Sequence, residues 1–120
     1  MPATPARVKE LLPLRPAVFH ILVVLADGER HGYAIKQEVE RRTDGVVKMG
    51  PGTLYESIQR MLDRRMLEES SARPQPQNDQ AQRRYYRLTQ FGRAVLKAEV
   101  ARLGAIVDDA RSSLLGSKPA

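Results

Sequence analysis

The sequence predicts a mainly α-helical protein with a small β-hairpin, in which a winged helix-turn-helix domain is followed by a long C-terminal dimerisation helix. Three observations support this fold class. Residues 48–65 join a Gly-Pro-Gly turn to an amphipathic helix, and two short β-prone segments follow at 67–71 and 83–88. Residues 90–114 then carry a regular apolar stripe that is too long for a three-helix domain to cover.

The chain divides into four predicted segments. Residues 1–10 begin with two prolines among small residues and are expected to form a flexible tail, although residues 7–12 can add a helical turn that a proline ends. Residues 11–88 form the winged helix-turn-helix domain, 89–115 the dimerisation helix and 116–120 a frayed tail.

The composition favours a single globular domain with an acidic partner. A chain of 120 residues is large enough to bury roughly 65% of its unfolded surface in one domain. Its 42% hydrophobic and 28% charged residues are typical of a soluble globular protein. The net charge of +6 favours nucleic acid as the partner. The absence of cysteine excludes disulfides and thiolate metal sites and indicates a reducing compartment.

Other function classes find little support in the sequence. Only His20 and His31 offer imidazole ligands, so neither a metal ion nor a cofactor is expected. An enzyme is not expected either, because phosphate-loop and dinucleotide glycine patterns are absent and no histidine pair has a carboxylate at a useful spacing. The longest apolar run, residues 17–26, is far shorter than the about 20 residues of a membrane span and lacks a signal-peptide cleavage site. A cytoplasmic protein without membrane contact is therefore expected.

Two helices are predicted before the Gly-Pro-Gly turn. Pro16 begins the first, which is apolar almost all round, belongs in the core and ends at an Asp-Gly pair. His31 begins the second, which runs to about Thr43 and is ended by another Asp-Gly pair. Its inward side chains are expected to be Tyr33, Ile35 and Val39.

The third helix is the candidate recognition helix. Pro51 suits its first position, because proline already has a near-helical φ and its missing N–H costs nothing there. A buried stripe at helical spacing is formed by Leu54, Ile58, Met61 and Leu62. The other side carries hydrogen-bonding side chains, namely Thr53, Glu56, Ser57, Gln59, Arg60, Asp63 and Arg64. We expect this polar face to lie in a DNA groove.

Contacts to the DNA backbone are expected where this helix begins. The N–H groups near Gly52 and Thr53 and the positive end of the helix dipole suit a phosphate, and Lys48 adds a charge. The hydroxyl groups of Thr53, Tyr55 and Ser57 can donate further hydrogen bonds. Tyr55 also lies at the edge of the buried stripe, so a packing role is equally consistent with its position.

Contacts to base edges are expected from Gln59 and Arg60. A good bidentate pair between a side chain and a base discriminates by about 1–3 kcal/mol. Glu56 can accept a hydrogen bond from a cytosine amine, or it can pair with Arg60 four residues on. The pair within the helix is slightly favoured.

The two β-prone segments are expected to form the wing. They are separated by residues 72–82, which contain no large apolar side chain and should form a mobile loop. Arg83 and Arg84 end this loop and would reach phosphates or the minor groove. Solvated arginines on an ordinary hairpin are the alternative.

The last helix is expected to begin after a Thr89 cap and to run from 90 to about 114, a length of about 37 Å. Its apolar residues recur at spacings of four and three, which is typical of paired helices. Part of this stripe should contact a second copy of the chain, with packing back on its own domain as the alternative. The predicted dimerisation residues are Leu96, Val100, Leu103, Val107, Ala110 and Leu114.

Taken together, these motifs resemble those of the PadR family of winged-helix transcriptional regulators, in its shorter form with a single C-terminal helix. The similarity covers roughly residues 11–103, most of the chain. Its combination of Gly-Pro-Gly-Thr-Leu-Tyr with Tyr-Tyr-Arg-Leu-Thr-x-x-Gly is specific, whereas either stretch alone would be weak. The matching segments are 14–22, His31-Gly32-Tyr33, 50–55, 67–69, 84–89 and Gly92-Arg93.

The resemblance implies a homodimeric repressor that binds double-stranded DNA at an inverted repeat, with its two recognition helices about 34 Å apart. Some such proteins release DNA when a small aromatic compound binds, and drug-responsive members carry a tryptophan on the last helix. This sequence contains no tryptophan, so no small-molecule effector is assigned. The alternative function is a winged-helix protein-interaction module, in which the same helix face docks on another protein. Salt-sensitive binding to duplex DNA would separate the two.

Overall fold

A computed structural model describes residues 6–70 and 84–116, which form five α-helices and three short β-strands. In chain order these are α1 (Ala6–Lys9), α2 (Pro16–Leu25), β1 (Arg30–His31), α3 (Gly32–Arg42), α4 (Pro51–Asp63), β2 (Leu67–Ser70), β3 (Tyr85–Leu88) and α5 (Gln90–Leu115). The three predicted helices, the hairpin strands and the long last helix are all present, in a winged helix-turn-helix arrangement. None of the helices in these two ranges is long and apolar enough to cross a membrane.

The central element of the core is α2, as its almost continuous apolar sequence predicts. It packs against α3, α4 and α5, and Ile21, Leu22 and Leu25 are buried. From α3, Ile35 and Val39 join this core as expected. Tyr33 does not, since it is 55% exposed, and the prediction that it faces inward is wrong. Its ring lies near the exposed side of α3, where Lys36 Nζ stands 5.9 Å from the ring centre.

The three strands form one antiparallel sheet in the order β1-β3-β2. The hairpin partners β2 and β3 pair from Leu67 opposite Leu88 to Ser70 opposite Tyr85. The expected loop at 72–82 lies outside the described residues. The sequence did not indicate β1, because two residues are too few to show the alternating pattern of a strand.

In the N-terminal segment, the described residues 6–10 agree with the helical turn predicted at 7–12 rather than with a flexible tail. Residues 1–10 were expected to be a tail, but α1 packs against α5 and its Val8 is buried. The described part of this segment therefore belongs to the folded domain. A single apolar residue among polar neighbours gives no periodic signal, which is why the sequence did not reveal the contact.

The start of α5 lies directly on the end of α4. The Thr89 hydroxyl accepts a hydrogen bond from the Gly92 N–H at 2.9 Å, as expected of an N-cap, and donates one to the Arg65 carbonyl at 2.6 Å. The Thr89 N–H donates to the Met66 carbonyl at 3.1 Å. A Cβ at position 92 would stand 2.0 Å from the Met66 oxygen, so only glycine permits this approach.

We predict that Gly92→Ala destabilises the protein by about 1–3 kcal/mol or more, because the added methyl group collides with backbone that cannot move aside. The measurement is the free energy of unfolding in urea. Gly104→Ala is the matched control, since it lies in the same helix with nothing within 4 Å of a Cβ. That control should stabilise the protein by about 0.5–1 kcal/mol, as alanine favours helix over glycine. Equal effects of the two substitutions would contradict the role of Gly92.

Candidate nucleic-acid interface

The outer face of α4 is the candidate DNA-reading surface. Gly50 precedes the helix in an extended conformation and Pro51 occupies its first turn, as predicted. Leu54, Ile58 and Met61 are buried in the core, while Leu62 is half-buried. On the opposite face, the exposed residues are Gly52, Thr53, Glu56, Gln59 and Asp63. The helix is therefore held by one side and presents a polar face to solvent.

The start of α4 has the features that a phosphate requires. The first N–H groups of a helix have no acceptor within the helix, and Gly50 provides no side-chain cap. Gly52 and Thr53 lie there and are exposed, and Lys48 is exposed just before the helix. Ser57, one turn further on, is half-buried. These four predicted contact residues thus lie along the first half of α4 and the segment that leads into it.

Tyr55 packs against the beginning of α3. A Cβ at Gly32 would stand 2.9 Å from both Cε1 and Oη of the Tyr55 ring, so the glycine makes room for the ring. The tyrosine is still 40% exposed. The packing role proposed as an alternative for Tyr55 is therefore present. It also explains why the sequence needs a glycine at the first position of α3.

The middle of the polar face is organised by a hydrogen bond rather than an ion pair. Gln59 donates from Nε2 to Asp63 Oδ1 at 3.0 Å, which orients its amide. The expected pair between Glu56 and Arg60 is absent from the ion pairs of residues 6–70 and 84–116, and that preference is wrong. Arg60 is half-buried on the flank of α4, where it lines a cavity, so it is poorly placed for a base edge.

On the wing, Arg84 and Arg87 each form an ion pair with a glutamate of the neighbouring strand. Arg84 is exposed, and its Nη1 lies 3.3 Å from Glu69 Oε2. Arg87 pairs in the same way with Glu68, at 2.8 Å between Nε and Oε2. Arg83, the other predicted wing contact, lies outside the described residues. A phosphate approaching Arg84 would have to compete with a carboxylate of the same hairpin.

Between α4 and the hairpin lies an open cleft of about 290 Å³, with Tyr55, Ile58, Leu62 and Tyr86 among its lining residues. Tyr86 is buried at the centre of the sheet, and this burial raises the pKa of its hydroxyl, so the side chain is neutral at physiological pH. The contact of α4 with the hairpin fixes the wing at one side of the recognition helix.

The apolar stripe of α5 is divided between two environments. Leu96 is buried in the core of its own domain, so its assignment to a dimer interface is wrong. Further along, Val100, Val107 and Leu114 are 51%, 49% and 85% exposed. The two remaining residues, Leu103 and Ala110, are half-buried and exposed respectively. The stripe continues past the domain because spacing alone does not indicate where the covering domain ends.

A buried carboxylate, which the sequence analysis did not identify, anchors α5 beside this stripe. Glu99 is 1% exposed, accepts the Leu14 N–H at 2.9 Å, and binds Arg102 Nε and Nη2 at 2.6 and 3.0 Å. The Arg102 guanidinium, together with the Leu14 N–H, holds the pKa of the Glu99 carboxyl below its ordinary value although burial opposes this. The spacing of Glu99 and Arg102 by three residues was the available signal.

The described residues contain no group of three histidine, cysteine, aspartate or glutamate side chains that could hold a metal ion. His31 has a structural role instead, because its Nδ1 accepts the Ala34 N–H at 3.2 Å and caps α3.

Comparison with known proteins places this geometry in a family. The chain matches the model of the transcriptional regulator PadR-like family over residues 21–98. A protein of Lysinibacillus sphaericus, named only uncharacterized protein X, is 33% identical over 91 residues, which cover 73% of this chain and 81% of that protein. The chain belongs to the PadR-like family. The members of this family are transcriptional regulators rather than enzymes.

Solved structures share the fold of this PadR-like protein. A PadR family transcription regulator from Clostridium difficile R20291 is 22% identical with a TM-score of 0.68, over 82% of this chain and 97% of that one. Bacillus subtilis PadR in complex with operator DNA is 21% identical with a TM-score of 0.59, over 70% of this chain and 46% of that one. The helix, wing and long last helix are thus arranged as in PadR regulators.

We predict that Glu69→Gln increases the affinity for duplex DNA about two- to fivefold. The substitution removes the carboxylate that competes with a DNA phosphate for Arg84, and an exposed ion pair of this kind contributes only about 0.2–1 kcal/mol. Fluorescence anisotropy with a labelled duplex measures the effect. Glu68→Gln is the matched control, since it removes the same charge from the neighbouring residue of β2, which faces the other side of the strand. Equal gains from both variants would indicate a general charge effect and count against a wing contact by Arg84.

Proposed function

We propose that this protein is a homodimeric, sequence-specific repressor that binds an inverted-repeat operator through α4 and the wing. The observation that carries this proposal is the exposed polar face of α4, which begins with an uncapped turn and is flanked on one side by the hairpin. Membership of the PadR-like family supports it. So does the likeness to Bacillus subtilis PadR, which has been solved in complex with operator DNA.

In this mechanism α4 enters the major groove. An α-helix with its side chains is about 10–12 Å across and the groove is about 12 Å wide, so the helix fills it. A backbone phosphate meets the N–H groups near Gly52 and Thr53, with Lys48 beside it. Tyr55 and Ser57 donate from the edges of the helix. Arg83 and Arg84 contact the phosphates or the minor groove beside the wing.

Base recognition falls mainly to Gln59. Its hydrogen bond to Asp63 uses one N–H and fixes the amide plane. The carbonyl oxygen and the second N–H stay available, which is the donor and acceptor pair that adenine matches in the major groove. Glu56 has no ion pair among the described residues and can accept a hydrogen bond from a cytosine amine.

The second subunit would cover the exposed part of the α5 stripe. A helix of 26 residues is about 39 Å long, and only its first half carries buried residues, which end at Glu99. Val100, Leu103, Val107, Ala110 and Leu114 continue the stripe beyond that point. Pairing of two such helices would bury these side chains and bring two copies of α4 to one operator.

Selection of bound duplexes from a random pool tests the function directly. We expect enrichment of a palindrome whose half-sites lie about one helical turn apart, with affinity that falls steeply as salt is raised. The absence of any enriched sequence would contradict the proposal. Salt-independent binding to another protein, without DNA binding, would favour an interaction module instead.

We predict that Gln59→Ala weakens binding to the selected duplex by about 1–3 kcal/mol and relaxes the preference at one base pair per half-site. Binding to an unrelated duplex should be unchanged, because Gln59 makes no phosphate contact in this mechanism. Lys48→Ala is the control, since loss of a phosphate contact should weaken binding to both duplexes alike. An unchanged sequence preference in Gln59→Ala would exclude Gln59 from base recognition.

We predict that Val107→Asp combined with Leu114→Asp converts the dimer into a monomer, because four carboxylates would face each other across an apolar interface. Sedimentation equilibrium measures the mass, and the affinity for the palindrome should fall while binding to a single half-site persists. Ala105→Asp combined with Ser112→Asp adds the same charge to the opposite side of α5 and should leave the mass unchanged. A wild-type protein that is monomeric at operator-binding concentrations would refute the dimer.

A further inference from the structure

Three arginines converge on a cavity beside the recognition helix. Arg15 is the residue just before α2, Arg60 lies in the last turn of α4, and Arg64 follows directly after that helix. The cavity measures about 170 Å³, and Leu14, Val18 and Met66 contribute apolar walls. We call the site formed by Arg15, Arg60 and Arg64 the arginine cleft.

Among the described residues, no carboxylate balances the charge of the arginine cleft. Within residues 6–70 and 84–116, none of its three arginines forms an ion pair with a carboxylate. The same ranges hold six arginines that do, namely Arg41, Arg42, Arg84, Arg87, Arg102 and Arg111. Like charges held close together repel each other, so a bound anion would stabilise the cleft.

The chemistry of the site selects phosphate. A guanidinium group has a planar fork of donors that matches two phosphate oxygens, and several such groups together are the usual phosphate receptor of proteins. The cavity, at about 170 Å³, has room for one phosphate group rather than for an extended ligand. An alternative explanation is that positive charges at the carbonyl end of α4 interact favourably with the helix dipole, which would explain why arginines occupy positions 60 and 64. It does not account for Arg15, which belongs to a different element.

The cleft lies where a DNA backbone would pass. Thr53, Ser57, Arg60 and Arg64 follow one another at spacings of four and three, so they occupy one flank of α4. A helix that fills the major groove brings its flanks against the phosphates at the borders of that groove. We propose that the arginine cleft binds one backbone phosphate beside the operator half-site. This inference rests on the proposed DNA-binding function and assigns Arg60 to the backbone rather than to a base.

Ethylation interference on the selected duplex tests the arginine cleft. For wild-type protein, we expect ethylation of one phosphate at the edge of each half-site to block binding, and we expect Arg15→Gln combined with Arg64→Gln to abolish that block. The variant should also show a slope of log affinity against log salt that is shallower by about 1. Its preferred sequence, and that of Arg60→Gln, should stay the same, because phosphate contacts carry no sequence information.

Lys97→Gln is the matched control, since it removes an exposed positive charge from α5 and should leave the interference pattern intact. Circular dichroism verifies that each variant is folded. An unchanged pattern and slope in the double variant, or a relaxed base preference in Arg60→Gln, would overturn the arginine cleft while leaving the proposed function standing. A wild-type protein that binds no duplex would overturn both.

Calorimetric titration with inorganic phosphate, against chloride at equal ionic strength, separates the two sources of a phosphate group. Weak phosphate binding that the double variant loses, together with the altered interference pattern, supports the DNA assignment. Phosphate binding that the double variant loses while its interference pattern stays intact would identify a site for free phosphate compounds and overturn the DNA assignment.

Discussion

The close approach between α5 and the end of α4 is the constraint on which the rest of the fold depends. Gly92 leaves no space for a side chain against the Met66 carbonyl, and Thr89 bonds the carbonyls of both Arg65 and Met66. The recognition helix ends at this point, the wing begins with β2, and the long C-terminal helix starts. Because close-packed backbone deforms very little, the three elements keep a fixed relative orientation. The distance between two DNA-reading helices in a dimer would therefore be set by where α5 starts.

A second restraint fixes the direction of α5. Burying a carboxylate costs several kcal/mol unless it is paired and hydrogen-bonded, and Glu99 meets that condition through Arg102 and the Leu14 N–H. The bond to Leu14 ties the segment before α2 to α5, at a point two turns beyond Gly92. The pKa of Glu99 is lower in the folded protein than its ordinary value. The stabilisation from this ion pair is therefore present at neutral pH and is lost as the pH falls through the folded-state pKa. Two fixed points along one helix determine its axis, which a single contact would not.

The sequence predicted the elements whose signals are local, and it missed the outcomes that depend on neighbours. Pro16 and Pro51 begin their helices and Thr89 caps the last one, because these residues act on the backbone next to them. The periodic stripe of α4 likewise identified its buried side. Leu96 and Val100 show why the rest was not predictable: both have stripe spacing, yet one is buried and the other is exposed. Periodicity identifies an apolar face but not the surface that covers it.

The net charge of +6 predicted an acidic partner without indicating where it would bind. The structure distinguishes two sets of arginines near the candidate DNA-binding surface. On the wing, Arg84 and Arg87 are already paired with Glu69 and Glu68, so DNA would exchange one anionic partner for another and gain little. Beside α4, by contrast, Arg15, Arg60 and Arg64 have no carboxylate partner in the part of the chain that the structure describes, so their charge is available to a phosphate. Because a phosphate at the wing would have to replace a carboxylate, a phosphate contact on this flank of the recognition helix would contribute more to affinity than one at the wing.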